Sequence, residues 1–279
     1  MIRYRECPDI DSLFEKALRS WMEEHADEIG SDLDRAEEAI PEVYERFIAE
    51  PCEALGWKSP LAYFEEETDA DSLVGWINEY FDLGIPIPDL LTERIVDLGK
   101  PAETALLALF RDPGTARELR MICISMLREL ESVLPMQEYA DLAAHAQEND
   151  ELAEAAVESL AYMGKEAVKC VLTTLETATE AGKDLLCGIL AGAPYDERIT
   201  AFLRERFCRH PENRALYASY LAKYGDEGAL PMLEQAAEEP DINYLDFIEL
   251  SNAIEQLGGE RPPMREFSGD PYYESLKDL

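Results

Sequence analysis

The chain has 279 residues, 47% of them hydrophobic, which is ample for a packed core and too much for a disordered chain. Asp and Glu number 60 against 25 Lys and Arg, a formal net charge of −35. That balance argues against general binding to a nucleic-acid backbone, which needs clustered cations, and against an anionic membrane surface.

The N-terminus, MIRYRECPDIDSLFEKALRSW, has charges every few residues in place of the apolar stretch of a signal peptide. Ile10, Leu13, Phe14, Ala17, Leu18, Trp21 and Met22 then fall on one helical face, predicting a helix over Asp9–Ile29. Further helices are expected at Asp32–Ala49, kinked or divided by Pro41, at Pro60–Glu67 and at Ala70–Leu83. Ser59-Pro60 and Asp71-Ser72 supply cap or first-turn signals. These first 88 residues carry 23 acidic and 7 basic residues, a net −16, and hold Trp21, Trp57 and Trp76. GIPIPD at Gly84–Asp89 is the expected linker, because two prolines in three residues end a helix and stiffen the connection.

Beyond it, helix ends recur: IVDLGK at Gly99, LRELES near Leu130, AYMGKE at Gly164, ILAGAP at Gly192, AKYGDE at Gly225 and EQLGGE at Gly258. Each glycine is expected to hold the left-handed conformation that ends a helix. Polar breaks alternate with them: RDPGT (111–115), END (148–150), EAG (180–182), RHPEN (209–213) and EEPD (238–241). The period of about 32 residues is that of a helical repeat, each period two helices joined by a short turn. A helix at Asp89–Leu98 opens the series. Helix pairs follow at Pro101–Leu130, Pro135–Met163, Lys165–Ala191, Tyr195–Tyr224 and Asp226–Leu257. Sustained strand-type alternation is missing, so the fold class expected is all-α. The tail, 260–279, is either disordered or folded back over the last pair, with Phe267, Tyr272 and Tyr273 as anchors.

YMGKEAVKCVLTTLE at 162–176 and KYGDEGALPMLEQAAEE at 223–239 resemble HEAT repeats, in particular the short variety seen in bilin-lyase-related proteins. The pattern LGxxxALPxLxxxL bridges one repeat's second helix to the next repeat's first. The resemblance extends over about Asp89–Gly259. It implies an α-α superhelix of antiparallel helix pairs with the second helices lining a concave face, and the first 88 residues then read as a helical cap. It implies no particular chemistry.

The residues carry no catalytic signature. HEAT-type deoxyhypusine hydroxylases hold two irons with His-Glu dyads, whereas His25, His145 and His210 are followed here by Ala26, Ala146 and Pro211. Runs such as Glu65-Glu66-Glu67 fit solvated helix faces better than a calcium loop, and no Gly-Lys follows the GxxxxGK pattern of a phosphate loop. No metal site and no cofactor are expected. The six cysteines form no CxxC pair and read as buried free thiols of a reducing cytosol.

One local reversal of charge stands out, RITAFLRERFCRHPENR at 198–214. Arg206, Arg209 and Arg214, with Tyr217 as an aromatic neighbour, are the candidate partner-binding residues. The competing reading, favoured by the excess of acid, pairs these arginines with Glu and Asp of the same chain. HEAT-like DNA glycosylases need a basic concave face that five arginines around one turn do not make. Aromatics at Trp57–Phe64 and Tyr80–Phe81 could form a cleft, though core packing explains them more simply. The expected function is that of a cytoplasmic, non-catalytic scaffold or adaptor. It would bind a protein partner, a basic one, on its concave face, and neither nucleic acid nor membrane. The alternative is an enzyme or enzyme accessory of the bilin-lyase-related type with a small ligand in a cleft.

Overall fold

Capping side chains set where many of the helices begin. In the computed structural model, which describes residues 7–26 and 33–277, Asp9 accepts the Ser12 amide at 2.9 Å and opens α1 (Ile10–Glu24). Ser59 accepts the Ala62 amide at 3.2 Å ahead of α3 (Pro60–Glu65). Asp69 accepts the Ser72 amide at 2.9 Å ahead of α4 (Ala70–Leu83). Each such cap satisfies one amide the first helical turn leaves open and contributes about 1 kcal/mol. Between them, α2 (Leu33–Ala49) continues on both sides of Pro41, so the proline does not divide it. Residues 27–32, where the first two helices were expected to end and begin, lie outside the described residues.

The remaining helices are α5 (Asp89–Asp97), α6 (Lys100–Arg111), α7 (Arg117–Glu129), α8 (Met136–Ala144), α9 (Glu151–Tyr162), α10 (Lys165–Thr174) and α11 (Glu180–Leu190). Then follow α12 (Glu197–Arg209), α13 (Arg214–Tyr224), α14 (Leu230–Ala237), α15 (Tyr244–Gln256) and α16 (Pro271–Lys277). The described residues hold no β-strand, and no helix among them is long and apolar enough to cross a membrane. All five helix pairs expected from the repeat are present. One break falls elsewhere: the turn expected at 180–182 lies at 175–179, and Gly182 sits inside α11.

The chain packs as two compact units, Met1–Val133 and Leu134–Leu279. The first contains the linker expected at Gly84–Asp89 within it. Here α1 packs on α2, α2 on α3, α3 and α4 on α5, α4 and α5 on α6, and α7 on α5 and α6. Leu73, Ile77, Tyr80, Leu91, Ile95 and Leu106 are fully buried at its centre. Phe64 and Trp76 are also buried, their rings 5.2 Å apart, and Tyr80 donates its hydroxyl hydrogen to the Pro8 carbonyl at 3.0 Å. Core packing thus accounts for these aromatics but not for Trp57, which is 71% exposed at positive φ.

In the second unit, α8/α9, α10/α11, α12/α13 and α14/α15 are successive pairs in which partners touch. The second helices also touch in succession, α9 on α11, α11 on α13 and α13 on α15. Tyr139, Leu186, Leu203, Tyr217, Leu221 and Leu250 are fully buried between them. The tail folds back on the last pair. Phe267 is buried with its ring 5.1 Å from Phe247 and 5.4 Å from Tyr244, and Tyr273 lies 5.1 Å from Tyr244. Arg265 sits over the Phe247 and Phe267 rings and donates to the Glu239 carbonyl at 2.6 Å.

The junction glycines divide into three kinds. Gly225 (φ 78°, ψ 33°) is a left-handed cap of the expected type. Gly99 (φ 66°, ψ −127°) and Gly164 (φ 70°, ψ −141°) occupy a region essentially closed to other residues, and each starts the following helix. Gly192 does not enter positive φ at all. Where the repeat lacks a glycine, Glu131 takes φ 53° in its place, and the Ser132 amide closes the turn on the Leu127 carbonyl at 2.9 Å.

Candidate functional site

Helical periodicity places residues three, four and seven apart on one face. On α9 these are Glu154, Val157 and Ala161; on α11, Ala181, Asp184, Leu185 and Gly188; on α13, Leu216, Tyr220 and Lys223. They line two adjoining depressions that meet at Gly188 and form the lower and upper parts of a groove along the second helices. Its lower part, about 560 Å³, lies between the 147–150 turn, the first turns of α11 and α13, and Tyr220. Its upper part, about 460 Å³, lies between the ends of α9, α11 and α13 and the start of α10. Gly188 belongs to both. A methyl group added there would meet only the Tyr220 side chain, its hydroxyl at 3.8 Å and Cε1 at 4.0 Å, so Gly188 leaves bare backbone on the floor.

The lower part combines apolar and acidic surface. Val157, Leu185 and Tyr220 are half-buried and Leu216 is 43% exposed. Glu148 and Glu154 are exposed and have no cationic partner among the described residues. Asp150 is spent as the N-cap of α9, accepting the Ala153 amide at 3.1 Å, and Asn149 holds the preceding turn at φ 58°. Burial raises the Tyr220 hydroxyl above its ordinary pKa, helped by Cys187 and Asp184, so it stays neutral.

Asp184 is fixed from behind. Arg206 of α12 is 4% exposed and donates through one terminal nitrogen to Glu180 and through the other to Asp184. It also donates to the Tyr217 hydroxyl at 3.0 Å, and that hydroxyl donates in turn to Asp184. Burial disfavours the Arg206 charge, but the bonds to Glu180, Tyr217 and Asp184 outweigh it and hold its pKa above the usual value. Lys183 and Arg206 hold the Glu180 carboxyl down at about 2. Tyr217 is raised, first by burial and then by its bond to Asp184. A charge this buried persists only when paired and hydrogen-bonded.

The candidate residues therefore separate. Arg206 and Tyr217 are buried and support Asp184. Arg214 is turned to Glu239, while Arg209 is exposed with its guanidinium 2.8 Å from Glu205. Around the same turn, Arg204 makes two bonds of 2.6 Å to Asp226, and Arg198 reaches Asp196 at 2.7 Å. Each of the five arginines thus has an acid of its own chain. The groove is the feature local sequence reading missed. Its signal is the set of apolar residues at Val157, Leu185, Leu216 and Tyr220, on a face that needs no neighbour within the pair.

The histidines stand apart from this groove's lining. His145 is exposed with Nδ1 2.8 Å from the Asp141 carbonyl, and His25 stacks on Trp21. His210 ends α12 and meets Glu212 at 3.0 Å. Among the described residues no group of three or more His, Cys, Asp or Glu is placed to hold a metal ion. All six cysteines are free, but only Cys123 and Cys187 are buried, and burial pushes both thiols up to about 12. Comparison with family models, with curated proteins and with solved structures finds no match to this chain.

Proposed function

We propose that the second unit is a HEAT-like solenoid segment and that the chain is a non-catalytic scaffold binding a basic segment of another protein on its second-helix face. One observation carries this reading: the depression across α9, α11 and α13, where half-exposed Val157, Leu185, Leu216 and Tyr220 adjoin the free carboxylates of Glu148 and Glu154. Half-exposed apolar side chains in a preformed groove lose little freedom when covered, so burying them is available as binding energy. Free carboxylates beside an aromatic ring suit a Lys or Arg side chain, by charge and by its stacking on Tyr220. The net charge of −35 would speed encounter with such a partner at low salt.

The reading of the chain as an enzyme or enzyme accessory gains less support. The groove is open and has neither a histidine nor an arginine in its lining. The test is a titration of the full chain with a labelled, capped peptide carrying two arginines and a leucine. Binding should weaken steeply between 50 and 300 mM salt, roughly in the range where screening removes exposed pairs. Glu154→Lys and Tyr220→Ala should each weaken it about five- to tenfold. Salt-independent binding, or variants that bind as wild type does, would overturn the proposal.

A further inference from the structure

The upper part of the same groove has the opposite charge. In the second unit, Lys169, Lys183, Arg198, Arg204, Arg206, Arg209, Arg214 and Arg261 each lie within salt-bridge distance of a carboxylate, and Arg265 is held by backbone carbonyls. Lys165 and Lys223 are exposed and have no carboxylate partner among the described residues. Both line the upper groove, and Lys223 lies across it with Nζ 3.5 Å from the Gly188 carbonyl oxygen. Among the described side chains of the second unit, the two lysines with no carboxylate partner thus line one site. Tyr195, which follows the lining residue Pro194, is 78% exposed beside it.

We infer that the groove is bipolar and takes an extended segment of a partner protein that carries both a basic and an acidic side chain. The inference rests on the basic-segment reading above and adds a second requirement and a spacing to it. The basic side chain lies at the Glu148–Glu154 end; an Asp or Glu side chain lies between Lys165 and Lys223; the segment's backbone crosses at Gly188, which has no side chain of its own. Leu216 at one end and Lys223 at the other are seven residues apart on α13, about 10 Å along its axis. Side chains of an extended peptide share a face at even spacings, at about 3.3 Å per residue, so charges four residues apart fit, with the lysine side chains taking up the difference. Opposite charge at the two ends gives the segment one direction and penalises a wholly basic one, whose far end would meet two lysines.

The test uses capped, fluorescently labelled peptides read by anisotropy on the full chain. One pair has Arg and, four residues on, either Asp or Asn; the second pair has the order reversed. In one of the two orders the Asp peptide should bind about fivefold more tightly than its Asn analogue. In Lys165→Gln/Lys223→Gln, whose changes are both on the surface, the ratio of the two affinities should fall to about one. If the Asn peptides bind wild type and Asp adds nothing in either order, the bipolar inference fails and the basic-segment reading stands. If neither kind binds, both fail. A gap that survives in the double variant removes the lysines from the account and overturns the inference.

Discussion

Arg206 donates to the hydroxyl of Tyr217 at 3.0 Å, across the turn between α12 and α13 and out of contact with water. The same guanidinium reaches back to Glu180 and Asp184 of α11, so one side chain ties three helices together. Removing it leaves two carboxylates facing a buried tyrosine. Arg206→Ala should cost about 2–3 kcal/mol in urea unfolding, less than a wholly buried pair because Glu180 and Asp184 keep contact with water. Arg206→Lys should recover only part of this, since an ammonium cannot reproduce the forked geometry. A loss below about 0.5 kcal/mol in Arg206→Ala would mean that the network is not what joins these helices.

Acid should act on the same junction. Glu180 has its carboxyl held at about 2, against an ordinary 4.5, by Lys183 and Arg206. A carboxyl depressed in the folded state contributes stability that is complete above about 4.5 and is lost as pH falls towards 2. The side chain is largely exposed, so the contribution is discounted for screening to less than about 1 kcal/mol. The measurement is the difference in melting temperature between wild type and Glu180→Gln. It should be constant from pH 7 to 5 and shrink between pH 4.5 and 2. A constant difference down to pH 2 would exclude the ion pair as its source.

Two glycines inside helices should respond oppositely to alanine. A methyl group at Gly182 would come within 2.2 Å of the Ala144 carbonyl oxygen, a backbone atom that cannot step aside. Gly182→Ala should therefore cost about 2 kcal/mol or more by forcing α11 away from α8. Gly75 in α4 has nothing within 4 Å, so Gly75→Ala should stabilise by about 0.5–1 kcal/mol through helix propensity and a less free unfolded chain. Thermal melts of both variants decide this, and equal shifts would refute the contrast.

Glu131 offers a gain from the opposite substitution. It holds φ 53° at the end of α7, a conformation that strains any residue with a β-carbon. Glu131→Gly should stabilise the chain by about 1 kcal/mol, read as a rise in urea midpoint at unchanged slope.

The helix pairs were legible because periodicity and glycine spacing are local signals. The expected pair Lys165–Ala191 and the observed α10 and α11 share their outer limits to within a residue. The junction at Glu131 shows the same geometry with its marker missing: the turn forms because the chain on both sides packs, and the residue there bears the strain. Gly182 was read as a turn because a glycine beside a polar pair looks the same whether it breaks a helix or lets another backbone approach. The groove was not legible for another reason. The excess of acid already favoured pairing of the arginines of 198–214 within the chain, but Arg206 meets Asp184 and Glu180 across 22 and 26 residues, so no local pattern records which acids it takes. The lysines at 165 and 223 gain meaning only once every neighbouring cation is seen to be neutralised.

The return of the tail over α15 bears on how the last helix pair is finished. Amphipathic helix pairs laid side by side have no intrinsic last member: the final one offers the same greasy flank that its predecessor covered. Phe267 and Tyr273 occupy that flank against Phe247 and Tyr244, so the apolar side of the last pair is covered by the chain's own tail.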